Sequence, residues 1–260
     1  MDAQTTEDSS AKTANSYSAP ALEKGLDILE VLCQSETGLT HKEIATRLGR
    51  SVSELYRMLN CLVRRNYVAN YNDTYSITTK LFQLSQIHPP TQRLLTEAMP
   101  ILQELSLQVS FPCDLRVYNK GVQTVIASVQ TPTGIGFATR VGSEIEVAPS
   151  ASGRVLVAFQ AAETVELRIR ESLPDKSAKE INAFGQEIHA VAVKGFASIQ
   201  SNQYAGLYAI SFPILDINRH AVAALTVPML ARIDGVRQAT RFEVEDALRT
   251  SAARLSSRIG

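Results

Sequence analysis

Ser53, Tyr56, Arg57, Asn60 and Arg64 recur at spacings of three, one, three and four residues, which sets all five on one side of a helix. Their types hydrogen-bond phosphates and base edges. A guanidinium can bind guanine bidentately, and a carboxamide can do the same with adenine. Val52, Leu55, Leu59 and Leu62 occupy the opposite side and are expected to hold the helix in a core. From Lys42 to Lys80, seven basic residues stand against three acidic ones, in a chain whose 26 basic and 26 acidic residues cancel overall. Lys42, Arg50 and the helix-opening Ser51 flank the face and complete the set expected to meet double-stranded DNA. A neutral chain does not coat nucleic acid along its length, so any such contact must be local. Docking of another protein by the same pair of helices is the alternative that the pattern leaves open.

The elements around this face are legible from caps and breakers. Pro20 suits the first turn of a helix, and Leu22, Leu26, Leu29, Leu32 and Cys33 then form one apolar stripe. Thr40 followed three residues later by Glu43 has the spacing of a capping box, and Ser51 with Glu54 repeats it. Gly49 lies between the two helices, where a residue tolerant of positive φ ends the first. Two short strands joined through Asn72–Asp73 follow, which completes the order of a winged helix-turn-helix. Cys33, Cys61 and Cys113 are odd in number and widely spaced. Cys33 and Cys61 fall at apolar positions, so buried thiols are expected rather than a disulfide.

Beyond the hairpin, a helix is expected over Thr79–Ser85, broken at His88-Pro89-Pro90, and another over Thr91–Val109 with Pro100 kinking it or marking a new first turn. From Cys113 the periods mix. Strands are expected at Asp114–Asn119, Val122–Val129, Phe137–Val141, Ala205–Leu215 and Ala221–Pro228, and helices at Ser152–Ala162, Glu163–Glu171, Lys179–Ala192 and Val236–Arg258. The sequence Ala148-Pro149-Ser150 leads into a helix whose first free N–H groups, on Ala151, Ser152 and Gly153, make a carboxylate site at the positive end of the dipole. An ordinary helix capped by Ser150 is the plainer reading of the same residues. Ala209 and Ser211 share one face of their strand.

Several classes are disfavoured. The four histidines are isolated from one another and from the cysteines, so no metal ligand spacing occurs. Gly134-Ile135-Gly136 lacks the third glycine of a dinucleotide loop, and Pro149-Ser150-Ala151-Ser152-Gly153 lacks the first glycine of a nucleophile elbow. Neither an enzyme nor a cofactor is expected. No run of 18 apolar residues would span a membrane, and residues 1–18 lack the blocks of a secretory signal and read as a solvated tail. A cytoplasmic protein is expected.

The segments ALEKGLDILEVL, KEIATRLG and SELYRMLNCLVRRNYV, with RVGSEIEVAPSASGRVLVAF, KGFASI and YAGLYAISFPILDINRHAVAALTVP, resemble the IclR family of bacterial transcription regulators in order and spacing. The resemblance covers nearly the whole chain after residue 18. It implies an α+β fold: a winged helix-turn-helix DNA-binding domain at 19–84, a helical linker at 85–110 and a GAF-like α/β effector-binding domain at 111–260. It further implies a homodimer or homotetramer that binds operator DNA and shifts state with a small organic acid. In that family a Ser, a His-like position and an Arg of the recognition helix face DNA, and Ser53, Tyr56 and Arg57 match them. Family wings carry a Gly-containing turn and an Arg. ANYNDTYS has neither, and leaves Tyr71, Asn72 and Thr74 with neutral hydrogen bonds only. In relatives that bind small polar acids, a Cys matches Ala209, an acidic residue lies near Ile199, and two Ser match Thr226 and Pro228. Three of those four positions are less polar here, which implies an effector with more apolar surface.

Overall fold

Thr40 and Glu43 set the start of the second helix of the N-terminal unit. The Thr40 hydroxyl accepts from the Glu43 N–H, and the Glu43 carboxylate accepts from the Thr40 N–H at 2.7 Å. The computed structural model describes residues 19–131, 136–202, 204–231 and 237–260. The expected tail at 1–18, the Gly134-Ile135 pair and Val236 lie outside the described residues. The chain divides into two units, Met1–His88 and Pro89–Gly260.

In the first unit, α1 (Pro20–Cys33), α2 (His41–Arg47), α3 (Val52–Arg64) and α4 (Lys80–Ile87) accompany a small antiparallel sheet of β1 (Leu39–Thr40), β2 (Val68–Tyr71) and β3 (Thr74–Ile77), in the order β1-β3-β2. Asn72 and Asp73 have φ of 49° and 58°, the two positive values that a tight hairpin turn requires. Gly49 has φ of 61° between α2 and α3, as its position predicts. The core gathers Ile28, Leu32, Leu39, Ile44, Leu55, Leu59, Val68 and Tyr75. This corrects the expected α1 stripe. Ile28 and Leu32 are its buried pair, while Leu22 and Leu26 are 64% and 48% exposed and Cys33 is exposed. Val52, expected on the buried side of α3, is exposed as well.

The second unit is a six-stranded antiparallel sheet in the order β6-β5-β4-β9-β8-β7. Its strands are β4 (Cys113–Asn119), β5 (Val122–Val129), β6 (Glu144–Glu146), β7 (Ala197–Gln200), β8 (Leu207–Leu215) and β9 (Ala221–Leu230). α5 (Pro89–Val109) and α9 (Arg241–Ile259) cover one face, where Leu102, Leu105, Leu115, Ile210, Phe212, Leu225 and Leu248 form the larger core. α6 (Ala151–Ala158), backed by α7 (Ala162–Ser172) and α8 (Ala178–Lys194), covers the other. There the sheet presents small residues, Ala197, Ala209, Ser211 and Ala224, which let α6 approach closely.

Four expectations change. The helix expected from Thr91 begins at Pro89 and runs unbroken through Pro100. Its Leu94, Ala98, Ile101, Leu102 and Leu105 belong to the core, so most of the stretch expected as a linker is an integral wall of the second unit. Phe137–Val141 is not a strand; the pairing partner of β5 is Glu144–Glu146. The last helix starts at Arg241, where Thr240 and Glu243 make a full capping box, and residues 237–240 are not helical. β7 was not anticipated; its four residues are too few for a period to stand out.

Candidate nucleic-acid interface and ligand cavity

The α3 face stands as its spacing predicts: Ser53, Tyr56, Arg57, Asn60 and Arg64 are all exposed. Leu55 and Leu59, 0% and 1% exposed, anchor the opposite side. Ser51 caps the helix by accepting from the Glu54 N–H at 3.3 Å, and its hydroxyl lies 3.3 Å from that of Ser53. Glu54 does not close the expected capping box. Its carboxylate pairs with Lys24 at 2.6 Å and Arg50 at 3.5 Å, and the Lys24 contact chiefly holds it below the usual carboxylate range. Arg50 also pairs with Asp27 at 3.3 Å. Arg50 thus ties the α2–α3 turn to α1, which leaves its guanidinium less free for phosphate than the sequence implied.

Tyr56 is stacked on His41, ring centroids 6.0 Å apart, and His41 meets Tyr75 of β3 edge-on at 6.1 Å. This links the middle of α3 to the wing through an imidazole at the start of α2. The sequence reading missed His41 because an isolated histidine carries no pattern. Among the described residues Arg57, Asn60 and Lys42 donate no side-chain hydrogen bond, while Arg64 makes one long contact to Cys61 Sγ at 3.9 Å. Exposed side chains of these types, with no internal partners, are available to phosphates and base edges.

The second site is a cavity of about 340 Å³ between the sheet and the head of α6. Ala151 and Ser152 form one end of it, and Ile199, Ala209 and Pro228, adjacent on β7, β8 and β9, form an apolar wall. Among the described residues the N–H groups of Ala151 and Ser152 have no hydrogen-bond partner. The Gly153 N–H does: it donates to the Ser150 hydroxyl at 3.0 Å. Gly153 therefore does not contribute a free donor. It is glycine because a Cβ there would collide with the Val147 carbonyl and Cα, where the preceding turn crosses the helix. Gln123, fully buried on β5, supports that turn from below by donating to the Glu146 carbonyl at 3.1 Å and to the Ser150 hydroxyl.

Ser211 and Thr226 do not line the cavity. Their hydroxyls bond one another at 2.9 Å, at 0% and 1% exposure. They belong to a polar row across four strands, Ser211, Thr226, Asp114 and Ser128, set by the pairing of β8, β9, β4 and β5. Asp114 receives Arg116 Nε at 2.7 Å and Nη2 at 2.9 Å. Arg116 also reaches Ser152 Oγ at 3.0 Å and Thr139 Oγ1 at 3.3 Å, and lines the cavity. The apolar lining expected from Ile199, Ala209 and Pro228 thus holds only along the sheet wall. Arg116 and Asp114 were missed. The signal was present in Asp-Leu-Arg-Val-Tyr, whose alternation turns both charges inward on a strand.

The cysteines form no disulfide: Cys33 is exposed, Cys61 half-buried and Cys113 buried. Burial pushes the Cys113 thiol up to about 12. Among the described residues no group of three His, Cys, Asp or Glu is placed to hold a metal, and no helix is long and apolar enough to cross a membrane.

The model of the bacterial transcriptional regulator IclR C-terminal domain matches residues 90–257, and that of the IclR helix-turn-helix domain matches residues 21–70. The HTH-type transcriptional regulator BhcR of Paracoccus denitrificans is 24% identical over 88% of this chain and 85% of its own. The Pca regulon regulatory protein of Pseudomonas putida is 23% identical over 86% of this chain and 77% of its own. Among solved structures, an IclR homolog from Microbacterium hydrocarbonoxydans complexed with 4-hydroxybenzoate superposes with a TM-score of 0.75 at 17% identity, covering 92% of this chain and 98% of its own.

Proposed function

The chain belongs to the IclR family of bacterial transcriptional regulators, and we propose that it binds operator DNA through the exposed face of α3 and responds to a small organic acid held at the head of α6. Members of the family are regulators rather than enzymes, and the two matched domains are the DNA-binding and ligand-responsive halves of such a protein. The observation that carries the DNA reading is the row Ser53, Tyr56, Arg57, Asn60 and Arg64, exposed on a helix anchored by Leu55 and Leu59. In this reading α3 enters the major groove. Two copies would then read half-sites about one helical turn apart, or a multiple of that.

The acid docks where donors converge: the N–H groups of Ala151 and Ser152, the Ser152 hydroxyl and the remaining Nη1 hydrogen of Arg116. The family relative that holds 4-hydroxybenzoate lends support to a carboxylate, and the Pca regulon relative to a catabolic target. A homodimer or homotetramer is supported by Leu22, Leu26, Phe82 and Ile87, large apolar side chains that the first unit leaves 48–67% exposed. A DNA partner supports a cytoplasmic location. The acid changes DNA affinity only by binding unequally to the DNA-competent and incompetent arrangements.

A second reading, in which the winged helix docks a protein, is favoured by one observation. The tip of the wing, with Tyr71 75% exposed, carries no basic residue. Fluorescence anisotropy with the DNA upstream of the protein's own gene, against scrambled DNA, separates the two. Preferential binding that steepens as salt falls and changes with one acid supports the regulator. Equal, weak binding to both DNAs at low salt overturns it in favour of the second reading.

A further inference from the structure

The cavity of about 340 Å³ at the head of α6 is larger than a short acid needs. A dry void of about 150 Å³ already holds one benzene, so this one has room for a six-membered ring together with its carboxylate. An acid of two or three carbons would occupy the donors and leave the rest of the lining without contacts. Those donors take one carboxylate. Arg116 is the one cation in the lining among the described residues, and Asp114 neutralises it through two hydrogen bonds.

The sheet contributes an aliphatic wall. Ile199, Ala209 and Pro228 stand side by side on β7, β8 and β9, with Leu207 two residues along β8 on the same face. Two loops contribute an aromatic one. Phe137 lies between β5 and β6 and Tyr204 between β7 and β8, segments that adjoin opposite edges of the sheet. Their rings meet with centroids 5.2 Å apart, tilted at 55°, and both line the cavity. Each is tied down close by. The Thr139 hydroxyl, two residues from Phe137, accepts from Arg116 Nη2 at 3.3 Å, and the Tyr204 N–H donates to the Ser201 hydroxyl at 3.1 Å. The pair is thus fastened to the same guanidinium that serves the donor site, and Tyr204, 55% exposed, has ring surface left to cover. A planar ring adds to such a pair edge-to-face or offset, whereas a saturated ring of the same size gains area only.

We propose that the effector is an aromatic monocarboxylate, its carboxylate at the head of α6 and its ring against Phe137 and Tyr204, and that these two residues select an aromatic body over a saturated one. The proposal rests on the acid site assigned at α6 and adds the chemistry of the rest of the ligand, with the residues that read it. Short-chain acids and saturated acids of equal size are the classes it disfavours.

Isothermal titration of the full chain tests it, with benzoate and phenylacetate, their saturated matches cyclohexanecarboxylate and cyclohexylacetate, and propionate. The saturated acids bury at least as much hydrocarbon, so area alone gives the aromatic ones no lead. The better aromatic acid should bind about two- to tenfold tighter than its saturated match, the range of one ring–ring contact, and propionate should bind weakest. Phe137→Leu and Tyr204→Leu keep apolar volume and remove a ring, so in each that lead should shrink, with the melting temperature as the folding control. Tyr204 is exposed, so Tyr204→Leu carries the test should Phe137→Leu fail to fold. Saturated acids or propionate binding as tightly as the aromatic ones, or an aromatic lead unchanged in Tyr204→Leu, overturns the proposal and leaves the acid site at α6 intact. Failure of all five acids to bind overturns the acid site and the proposal together.

Discussion

Asp114 and Arg116 lie two residues apart on β4, face the same way and close a bidentate ion pair, with Nε–Oδ1 at 2.7 Å and Nη2–Oδ2 at 2.9 Å, beneath the head of α6. The geometry follows from strand alternation on β4, and the neighbouring β5 accommodates it with a bulge, Ile126 standing unpaired between the partners of Leu115 and Arg116. Burying both charges is tolerable because each satisfies the other and Ser152 and Thr139 take further Arg116 donors.

Removing one partner should therefore cost much more than removing both. Asp114→Ala leaves a buried guanidinium uncompensated and should destabilise the second unit by about 3–5 kcal/mol. The double change Asp114→Leu with Arg116→Met should cost less than that single change. Urea unfolding of the three proteins measures this, and a double variant as unstable as Asp114→Ala would show that packing rather than charge dominates there.

Gly153→Ala should weaken fold and ligand site together. The added methyl meets the Val147 carbonyl, so the turn that presents Ala151 and Ser152 must move, at about 1–3 kcal/mol. Thermal melting should report the first effect and titration with an acid the second. An unchanged melting temperature would mean that the turn yields without strain.

On the other unit, Arg57→Ala should lower operator affinity by about 1–3 kcal/mol and relax preference at one base position. Its side chain is exposed and has no hydrogen-bond partner among the described residues, so melting should not change. Equal loss on operator and scrambled DNA would reassign Arg57 from base contact to phosphate contact.

Glu43, Glu180 and Glu243 each stand three residues into a helix, where backbone hydrogen bonds from Thr40, Ser177 and Thr240 hold them below the ordinary value of 4.5. A carboxylate depressed in the folded state stabilises fully above its unfolded value and loses that stabilisation as pH falls through its folded value. The triple Gln variant should melt lower than wild type at pH 7, and the gap should close as pH drops below about 4.5. A constant gap down to pH 3 would assign the loss to packing instead of charge.

Much of the first unit was legible because its signals are local. A cap and its N3 partner lie three residues apart, Gly49 and Asn72–Asp73 need positive φ where they stand, and the polar side of α3 repeats within one helix. Periodicity placed α8 to within a residue at its start, and Gly195, with φ of 90°, ends it. It failed where neighbours decide. Leu22 and Leu26 have the right spacing for burial, yet none of the described residues of the first unit covers them. Ser211 and Ala209 share a strand face, but α6 lies over one and the cavity opens beside the other.

The ligand site was the least legible part for the same reason. The sequence by itself determined that a helix begins after Ser150, with donors at its head, because capping is a matter of adjacent residues. Only the tertiary structure brought Arg116 of β4 to Ser152, 36 positions away along the chain, and Glu144 and Glu146 into the lining of the same cavity. Contacts of that range depend on strand order and helix docking, which satisfy the whole core at once and leave no fixed spacing in the chain.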